Sequence, residues 1–293
     1  MIIAFLGTGL MGLPMAGNLL KAGFSVNVYN RSVDKTTALA RLGATVSPTP
    51  TEAIRNAQVI ITMLDSAATQ EQVLLNTAAL SQCLPGSLII DMASIAPDTA
   101  KQHAQLANSY QLDYVDAPVS GGTKGAQEGT LVIMAGASES DLLRAQPIFT
   151  ALASNIIHIG PVGTGQIAKC ANQAIVAVTI GAVSEALLLA AKGGADITAV
   201  REALLGGFAS SKVLDQHGQR MIQRNFTPGA AAKVQLKDLN NISTFARAHN
   251  LQLPLTESVQ SQYQQLVDSG REDLDHSALL LLLESLNNTT LID

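Results

Sequence analysis

The sequence predicts a doubly wound α/β sheet followed by an all-α domain, with a long helix joining the two. Three observations predict it: aliphatic runs alternate with helical segments in the first half, this strand pattern nearly stops after residue 160, and an apolar helical pattern then runs to residue 192. At roughly 150 residues per domain, 293 residues give about two domains. We expect domains at 1–162 and 163–293, with the interdomain helix at 164–192.

The predicted strands are mostly aliphatic and are bounded by Gly, Pro, Asp or Asn. They cover 2–6, 25–29, 59–63, 88–91, 114–119 and 131–135, and a further strand at 156–159 closes the domain. The segments between them are long enough for crossover helices. We therefore expect a parallel sheet with helices on both faces.

The second half has helical patterns throughout. They cover 166–192, 197–205, 211–224, 234–249, 255–269 and 277–287. Asp196 and Asp275 are placed to act as N-caps, because a carboxylate just before a helix accepts its first N–H groups. The five leucines at 279–283 predict a surface buried against the long helix or a partner chain.

Composition excludes several classes of protein. Lys and Arg number 18 against 23 Asp and Glu, and a net charge of −5 argues against nucleic-acid or anionic-membrane binding. Two cysteines make no disulfide framework, which indicates a cytoplasmic protein, and the five dispersed histidines predict no metal site. The apolar start at 1–20 is broken by glycines, unlike a signal peptide, and the apolar stretch 174–191 contains Glu185, as a buried core helix does.

The first motif is a glycine-rich turn between a strand and a helix. Its residues are Gly7, Thr8, Gly9, Leu10, Met11 and Gly12, in the pattern Gly-x-Gly-x-x-Gly. The first glycine permits the tight turn, the second lets the backbone approach a pyrophosphate, and the third lets helix and strand pack closely. Alone, such a hexad can be an ordinary turn, but its place after the first strand favours a Rossmann-type dinucleotide site.

The second strand ends at Asn30, Arg31 and Ser32, where an NAD-selective site would place an acidic residue. Asn30 cannot repel a 2′-phosphate, Arg31 can pair with one, and Ser32 can donate from its hydroxyl. We expect a preference for NADP(H), with NAD(H) as a possible second cofactor. The alternative is that Arg31 is simply an exposed arginine after a strand.

A second glycine-rich loop follows the strand predicted at 114–119. Ser120 offers a hydroxyl, and Gly121 and Gly122 allow backbone N–H groups to approach an anion. Ligands of open α/β sheets bind beyond the carboxyl ends of the strands, so a small carboxylate substrate is the expected ligand. The alternative is a strand-end turn in which the glycines serve geometry alone.

Lys169 lies in an otherwise uncharged run of the long helix. Asn172 and Gln173 follow it at i+3 and i+4, and therefore on the same face. Burial and the positive helix end would lower the pKa of this lysine and suit it to proton transfer near neutrality. The alternative is an ordinary solvated lysine near a helix start.

Together these residues resemble a known family. The segments 7–12, 116–122 and 163–172 are similar to the motifs of the β-hydroxyacid dehydrogenases, which include the 3-hydroxyisobutyrate dehydrogenases. The resemblance covers essentially the whole chain. Its later segments are most similar to the tartronate semialdehyde (2-hydroxy-3-oxopropionate) reductase branch: 206–211, 225–229, 237–239, 253–254 and 275–279.

The resemblance implies NAD(P)H-dependent reduction of a small semialdehyde acid to its hydroxy acid, by a homodimer or homotetramer. It implies that Lys169 is the general acid/base. The other implied roles are substrate binding by Ser120, Gly121, Gly122, Asn172 and Gln173, and cofactor binding by Met63, Leu64, Ser94 and Lys237 in addition to residues 7–12 and 30–32. Gln173 departs from many 3-hydroxyisobutyrate dehydrogenases, which carry Asn there.

Three alternatives remain open from the sequence. The substrate can be another acid of the same family: 3-hydroxyisobutyrate, glyoxylate or succinic semialdehyde, or a serine-like 3-hydroxy acid. The reaction can be imine reduction, against which Lys169 counts. The chain can also be a catalytically silent nucleotide-binding protein, against which both Lys169 and Ser120 count.

Overall fold

The computed structural model describes residues 1–292. Contacts divide the chain into two compact units, Met1–Lys169 and Cys170–Asp293. The helix Thr164–Lys192 contains this division. The domain boundary expected after residue 162 stays a prediction, and Asp293, the last residue of the expected second domain, lies outside the described residues.

The first unit is built on one sheet. Its strands are β1 (Ile2–Leu6), β2 (Ser25–Tyr29), β3 (Thr45–Val46), β4 (Val59–Thr62), β5 (Leu88–Asp91), β6 (Asp113–Asp116), β7 (Val119–Ser120), β8 (Leu131–Gly136) and β9 (Ala153–Gly160). The order in the sheet is β3-β2-β1-β4-β5-β6-β8-β7, and β9 pairs with β8. From β3 to β6 all pairs are parallel. The order 3-2-1-4-5-6 is that of a dinucleotide-binding doubly wound sheet, which confirms the predicted fold class.

The sheet departs from the expected all-parallel arrangement at one side. The strand predicted at 114–119 is broken at Ala117 and Pro118 into β6 and β7, and both pair antiparallel with β8. Pro118 has no N–H to donate to a ladder, although its carbonyl accepts a hydrogen bond from the N–H of Met134 at 3.1 Å. The strand β3, two residues long, was not predicted, because so short a run carries no periodic signal.

Helices cover both faces of this sheet. They are α1 (Gly12–Lys21), α2 (Thr37–Arg41), α3 (Pro50–Ile54), α4 (Ala67–Val73), α5 (Thr77–Leu80), α6 (Pro97–Ser109), α7 (Gly122–Glu128) and α8 (Glu139–Leu152). Alternate residues of β1 belong to different cores: Ile3 and Phe5 pack in one cluster, and Ala4 and Leu6 in the other. Because β1, β2, β4, β5 and β6 are parallel, the loops that follow them lie along one edge of the sheet, where the candidate site is found.

The second unit is helical. Its helices are α9 (Thr164–Lys192), which begins in the first unit, α10 (Ile197–Leu205), α11 (Lys212–Ile222), α12 (Ala232–Ala248), α13 (Pro254–Leu266) and α14 (Leu279–Leu286). Asp196 accepts hydrogen bonds from the N–H groups of Thr198 and Ala199, and Asp275 caps a short 3₁₀ turn before α14. Both predicted N-caps are confirmed.

The core of the second unit includes one side of α9. Ile180 and Leu187 are fully buried there, together with Leu279 of the five-leucine run. Among the described residues, α9 alone is long and apolar enough to cross a membrane by length and composition, a test that core helices of soluble proteins also pass. Its packing agrees with the expected core helix. Other apolar side chains of α9 are exposed, Ile175 by 68% and Leu189 by 76%.

Candidate active site

The glycine-rich turn after β1 is closely packed on two of its three glycines. Gly7 has a φ of +103°, and a Cβ there would lie 2.4 Å from the carbonyl oxygen of Met63 and 2.9 Å from the Leu64 side chain. A Cβ on Gly12 would lie 1.9 Å from the carbonyl oxygen of Gly7. The turn thus requires glycine at both positions, and it lies against the predicted residues Met63 and Leu64.

The same turn leaves space where a phosphate would approach. A Cβ on Gly9 would meet nothing within 4 Å. The N-terminus of α1 has no side-chain cap at Met11 and no acidic residue in its first turn. The first N–H groups of a helix lack partners within the helix and carry a partial positive charge, so these residues fit a dinucleotide pyrophosphate.

The end of β2 is hydrogen-bonded to the glycine-rich turn after β1. The Asn30 side chain accepts a hydrogen bond from the Thr8 N–H at 3.0 Å and donates one to the Ser32 carbonyl at 3.0 Å. Asn30 thus holds the phosphate turn against the end of β2. Arg31 and Ser32 are exposed beside it. The preference among nicotinamide cofactors that these residues predict stays a prediction.

A buried carboxylate supports the loop after β5. Asp91 accepts hydrogen bonds from Thr62 at 2.9 Å, Gln70 at 2.7 Å and Tyr114 at 2.9 Å, and from the Ala93 N–H at 3.1 Å. Burial raises the pKa of Asp91, while these hydrogen bonds act in the opposite direction. The four donors fix the backbone that leads to Ser94, which is half-buried.

Lys169 lies next to the second glycine-rich loop. Its Nζ donates a hydrogen bond to the Val119 carbonyl at 2.8 Å, and Ser120 is the next residue in the chain. Gly121 and Gly122 have φ angles of +130° and +62°, and a Cβ on Gly121 would lie 3.2 Å from the Leu131 side chain. Both are backbone conformations that favour glycine. The structure therefore brings Lys169 to the 119–122 loop, as its predicted role requires.

Two further residues fasten the first turn of α9. The Asp116 carboxylate accepts hydrogen bonds from the Gly163 N–H at 2.7 Å and the Gln166 N–H at 2.8 Å. Burial raises the pKa of Asp116 to about 6, although these two hydrogen bonds lower it. The Gln166 side chain in turn reaches the loop after β5, at Ala93 and Ile95. Neither side chain has a role that the sequence predicts.

The second unit holds Asn172, Gln173 and Lys237. Asn172 donates to the Gln173 side-chain carbonyl at 2.8 Å, and Gln173 donates from its Nε2 to the buried Asp238 at 2.6 Å. Lys237 forms an ion pair with Asp238 at 3.2 Å. Asp238 was not singled out as a site residue, although it follows Lys237 directly in the sequence.

The second unit also contains a pair of neighbouring histidines, His217 and His276. The Nε2 atoms of His217 and His276 are 3.1 Å apart, and His276 Nδ1 is 3.2 Å from the side-chain carbonyl oxygen of Gln235. Burial, and after it the neighbouring His217, lower the pKa of His276 to about 4. Burial acts to raise the pKa of Asp275, but the nearby histidines and its hydrogen bonds dominate and hold that pKa well below its usual range.

His217, Asp275 and His276 form a potential metal-ligand group. Ligand atoms of His217, Asp275 and His276 lie within 4.8 Å of one another. The sequence predicts no metal site, because the histidines of the protein are far apart in the chain. Spacing could not have revealed this group, since His217 comes from α11 and the other two residues come from the turn before α14.

Two family models match the chain. One, the NAD binding domain of 6-phosphogluconate dehydrogenase, matches residues 2–160. The other, described as NAD-binding of NADP-dependent 3-hydroxyisobutyrate dehydrogenase, matches residues 163–283. Together they span both units.

Relatives match over nearly the full length. A 2-hydroxy-3-oxopropionate reductase of Escherichia coli is 43% identical, covering 98% of this chain and 99% of its own. A 3-hydroxyisobutyrate dehydrogenase of Pseudomonas aeruginosa is 32% identical, covering 94% and 96%. The structure of a Mycobacterium tuberculosis 3-hydroxyisobutyrate dehydrogenase with L-serine matches with a TM-score of 0.88 at 32% identity, covering 96% and 98%. The chain belongs to the β-hydroxyacid (3-hydroxyisobutyrate) dehydrogenase family, NAD(P)-dependent oxidoreductases that act on hydroxyl groups.

Proposed function

We propose that this protein reduces tartronate semialdehyde (2-hydroxy-3-oxopropionate) to glycerate, with NADPH preferred over NADH. The single observation that carries the chemistry is the Lys169 ammonium, 2.8 Å from the Val119 carbonyl and beside Ser120. Support for this substrate comes from the 43% identical relative, whose name gives that reaction and which matches along the whole chain.

NADPH, when bound, would supply a hydride for the aldehyde carbon. Lys169 donates a proton from its ammonium to the oxygen of that carbonyl, so the C=O becomes CH–OH, and in the reverse direction its amine accepts that proton. Ser120 and the backbone of Gly121 and Gly122 bind the substrate carboxylate. This contact orients the aldehyde carbon toward the cofactor, an arrangement that reduces the entropic cost of reaction.

The remaining residues have supporting roles in this proposal. Asn172 and Gln173 orient the substrate. The cofactor is held by Gly7, Thr8, Gly9, Leu10, Met11, Gly12, Asn30, Arg31, Ser32, Met63, Leu64, Ser94 and Lys237. We also propose that the enzyme is cytoplasmic and is a homodimer or homotetramer. Exposed Ile175 and Leu189 on α9 support self-association, and a sedimentation mass equal to one chain would contradict it.

The first experiment is a substrate panel, monitored by the consumption of NADPH in reduction and by its formation in oxidation, run with the wild-type enzyme and Lys169→Ala. The panel contains tartronate, succinic and methylmalonate semialdehydes and glyoxylate, and L-serine and 3-hydroxyisobutyrate with the oxidised cofactor. We expect the highest kcat/KM for tartronate semialdehyde, and a loss of about 10²–10⁴-fold in kcat in the variant with NADPH affinity retained.

Other outcomes of this experiment distinguish the alternatives. A higher kcat/KM for another acid would replace the substrate, and near-normal turnover by Lys169→Ala would remove the lysine from the mechanism. Tight NADPH binding without turnover of any substrate would identify a silent nucleotide-binding protein.

Cofactor preference is tested with Arg31. We expect kcat/KM with NADPH to exceed that with NADH, and Arg31→Ala to lose NADPH activity while NADH activity changes little, because only NADPH carries a 2′-phosphate for the guanidinium. Lys21→Ala, which removes an exposed cation at the end of α1, is the control. An unchanged NADPH preference in Arg31→Ala would disprove this assignment.

A further inference from the structure

The first turn of α9 is fastened to the carboxyl ends of two neighbouring strands. From β6, Asp116 accepts two backbone N–H groups of this turn, those of Gly163 and Gln166. From the loop after β5, Ala93 and Ile95 meet the Gln166 side chain. Lys169 follows three residues later and contacts the Val119 carbonyl. The helix segment that bears the amine is therefore held at three points.

The Gln166 contact has a fixed polarity. Its Nε2 donates to the Ala93 carbonyl at 2.8 Å, and its Oε1 accepts from the Ile95 N–H at 3.2 Å. The residue has no exposed surface, so water cannot replace either bond. Only a side chain with a donor and an acceptor side by side can hydrogen-bond to both backbone groups. Each buried backbone group left unpaired would destabilise the folded protein.

Ser94 is the residue between these two backbone contacts. The amide of Gln166 therefore fixes the peptide units on both sides of Ser94 relative to the start of α9. The Asp91 carboxylate also fixes this loop, because it accepts a hydrogen bond from the Ala93 N–H at 3.1 Å. Displacement of this loop from α9 would change the separation between Ser94 and Lys169.

We propose that Gln166 is a positioning residue for the reaction: its side-chain amide holds the Ser94 loop and the Lys169 amine at a fixed separation. The proposal rests on the proposed function in so far as Ser94 contacts the cofactor and Lys169 transfers the proton. Gln166 touches neither reactant. It acts through the two segments that it joins.

The test compares Gln166→Glu with Gln166→Met. A protonated carboxyl can donate to the Ala93 carbonyl and accept from the Ile95 N–H as the amide does, whereas a carboxylate cannot donate. Burial would raise the pKa of the introduced carboxyl, and so would the negative charges of Asp116, which binds the backbone N–H of the same residue, and of Asp91, which binds the Ala93 N–H. We expect Gln166→Glu to keep its kcat at the acid end of the profile and to lose it as pH rises. Gln166→Met should lose about 10²-fold at every pH, as a small misplacement can cause.

Gln146→Glu is the matched control, because Gln146 is exposed on α8 of the same unit. Its pH profile should follow the wild type. Equal loss of kcat by Gln166→Glu and Gln166→Met at every pH, or profiles of both variants that coincide with that of the wild type, would overturn the proposal, because the proposed role depends on the polarity of the contact.

A second measurement does not require turnover. The acylation rate of Lys169 is followed by mass spectrometry, with the exposed Lys124 as internal reference. We expect faster acylation in Gln166→Met at every pH, and in Gln166→Glu only at high pH. An unchanged Lys169 rate in both variants would refute the positioning role. Failure of the proposed function is recognised separately, by absent wild-type turnover or by an active Lys169→Ala.

Discussion

His276 in the second unit should make the folding stability of the protein depend on pH. Its Nδ1 faces the Gln235 carbonyl oxygen and therefore carries the hydrogen, so its Nε2 accepts from His217. Protonation of His276 would place two N–H groups against each other inside the core, near Arg220 as well. Burial is the largest cause, and with His217 and Arg220 it lowers the pKa of His276 to about 4, whereas this pKa is about 6.5 in the unfolded chain.

A lowered folded-state pKa contributes stability that is fully present above pH 6.5 and is lost as pH falls through 4. Each pKa unit corresponds to about 1.4 kcal/mol, so the wild type loses about 2–3 kcal/mol between pH 7.5 and 4.5 through this group alone. The variant His276→Gln cannot titrate and can still hydrogen-bond to Gln235. Urea unfolding of both proteins across this range should show the wild type losing that much more stability. Equal losses in the two proteins would refute the reasoning.

Three further predictions test packing and pairing. Gly9→Ala should fold normally and lose NADPH affinity in a binding titration, whereas Gly12→Ala, whose Cβ would lie 1.9 Å from a carbonyl oxygen, should lower the Tm; equal Tm losses would contradict this. Glu284→Gln should cost about 1.5–3 kcal/mol in urea unfolding, because the buried carboxylate accepts one hydrogen bond from each of the two terminal nitrogens of Arg224, Nη1 and Nη2; a double-mutant cycle with Arg224→Leu checks that the pair is responsible. Asp196→Ala should cost about 1 kcal/mol through loss of the N-cap, and Asp196→Asn much less.

The predictable part of the fold rests on local signals. The strand, glycine-rich turn and helix at the start of the chain follow in order within about twenty residues, and the close packing of Gly7 and Gly12 is a consequence of that order. Lys169 could be singled out because its neighbours are uncharged. The break of the predicted strand at Pro118 could also have been anticipated, since proline interrupts a ladder.

The site contacts that the sequence did not predict join residues that are far apart in the chain. Gln166 pairs with backbone atoms more than seventy positions earlier, and the residue type of its partners carries no information. His217 and His276 come from separate helical segments whose packing sets their distance. Asp116 was noted only as the start of a loop, because its function as a cap for α9 requires knowing that the helix begins beside β6. Such contacts are products of tertiary packing, not of periodicity.

Two of the buried ionisable groups, Asp116 in the first unit and His276 in the second, exchange protons with opposite sign on folding. The pKa of Asp116 rises on folding from 3.8 to about 6, so near pH 5 the first unit takes up a proton as it folds and becomes less stable as pH rises through 6. Near the same pH, folding of the second unit releases a proton from His276. In a whole-chain calorimetric experiment these exchanges offset each other. Mild acid would therefore cause little net proton uptake through Asp116 and His276 together, although through these two groups it stabilises the first unit and destabilises the second.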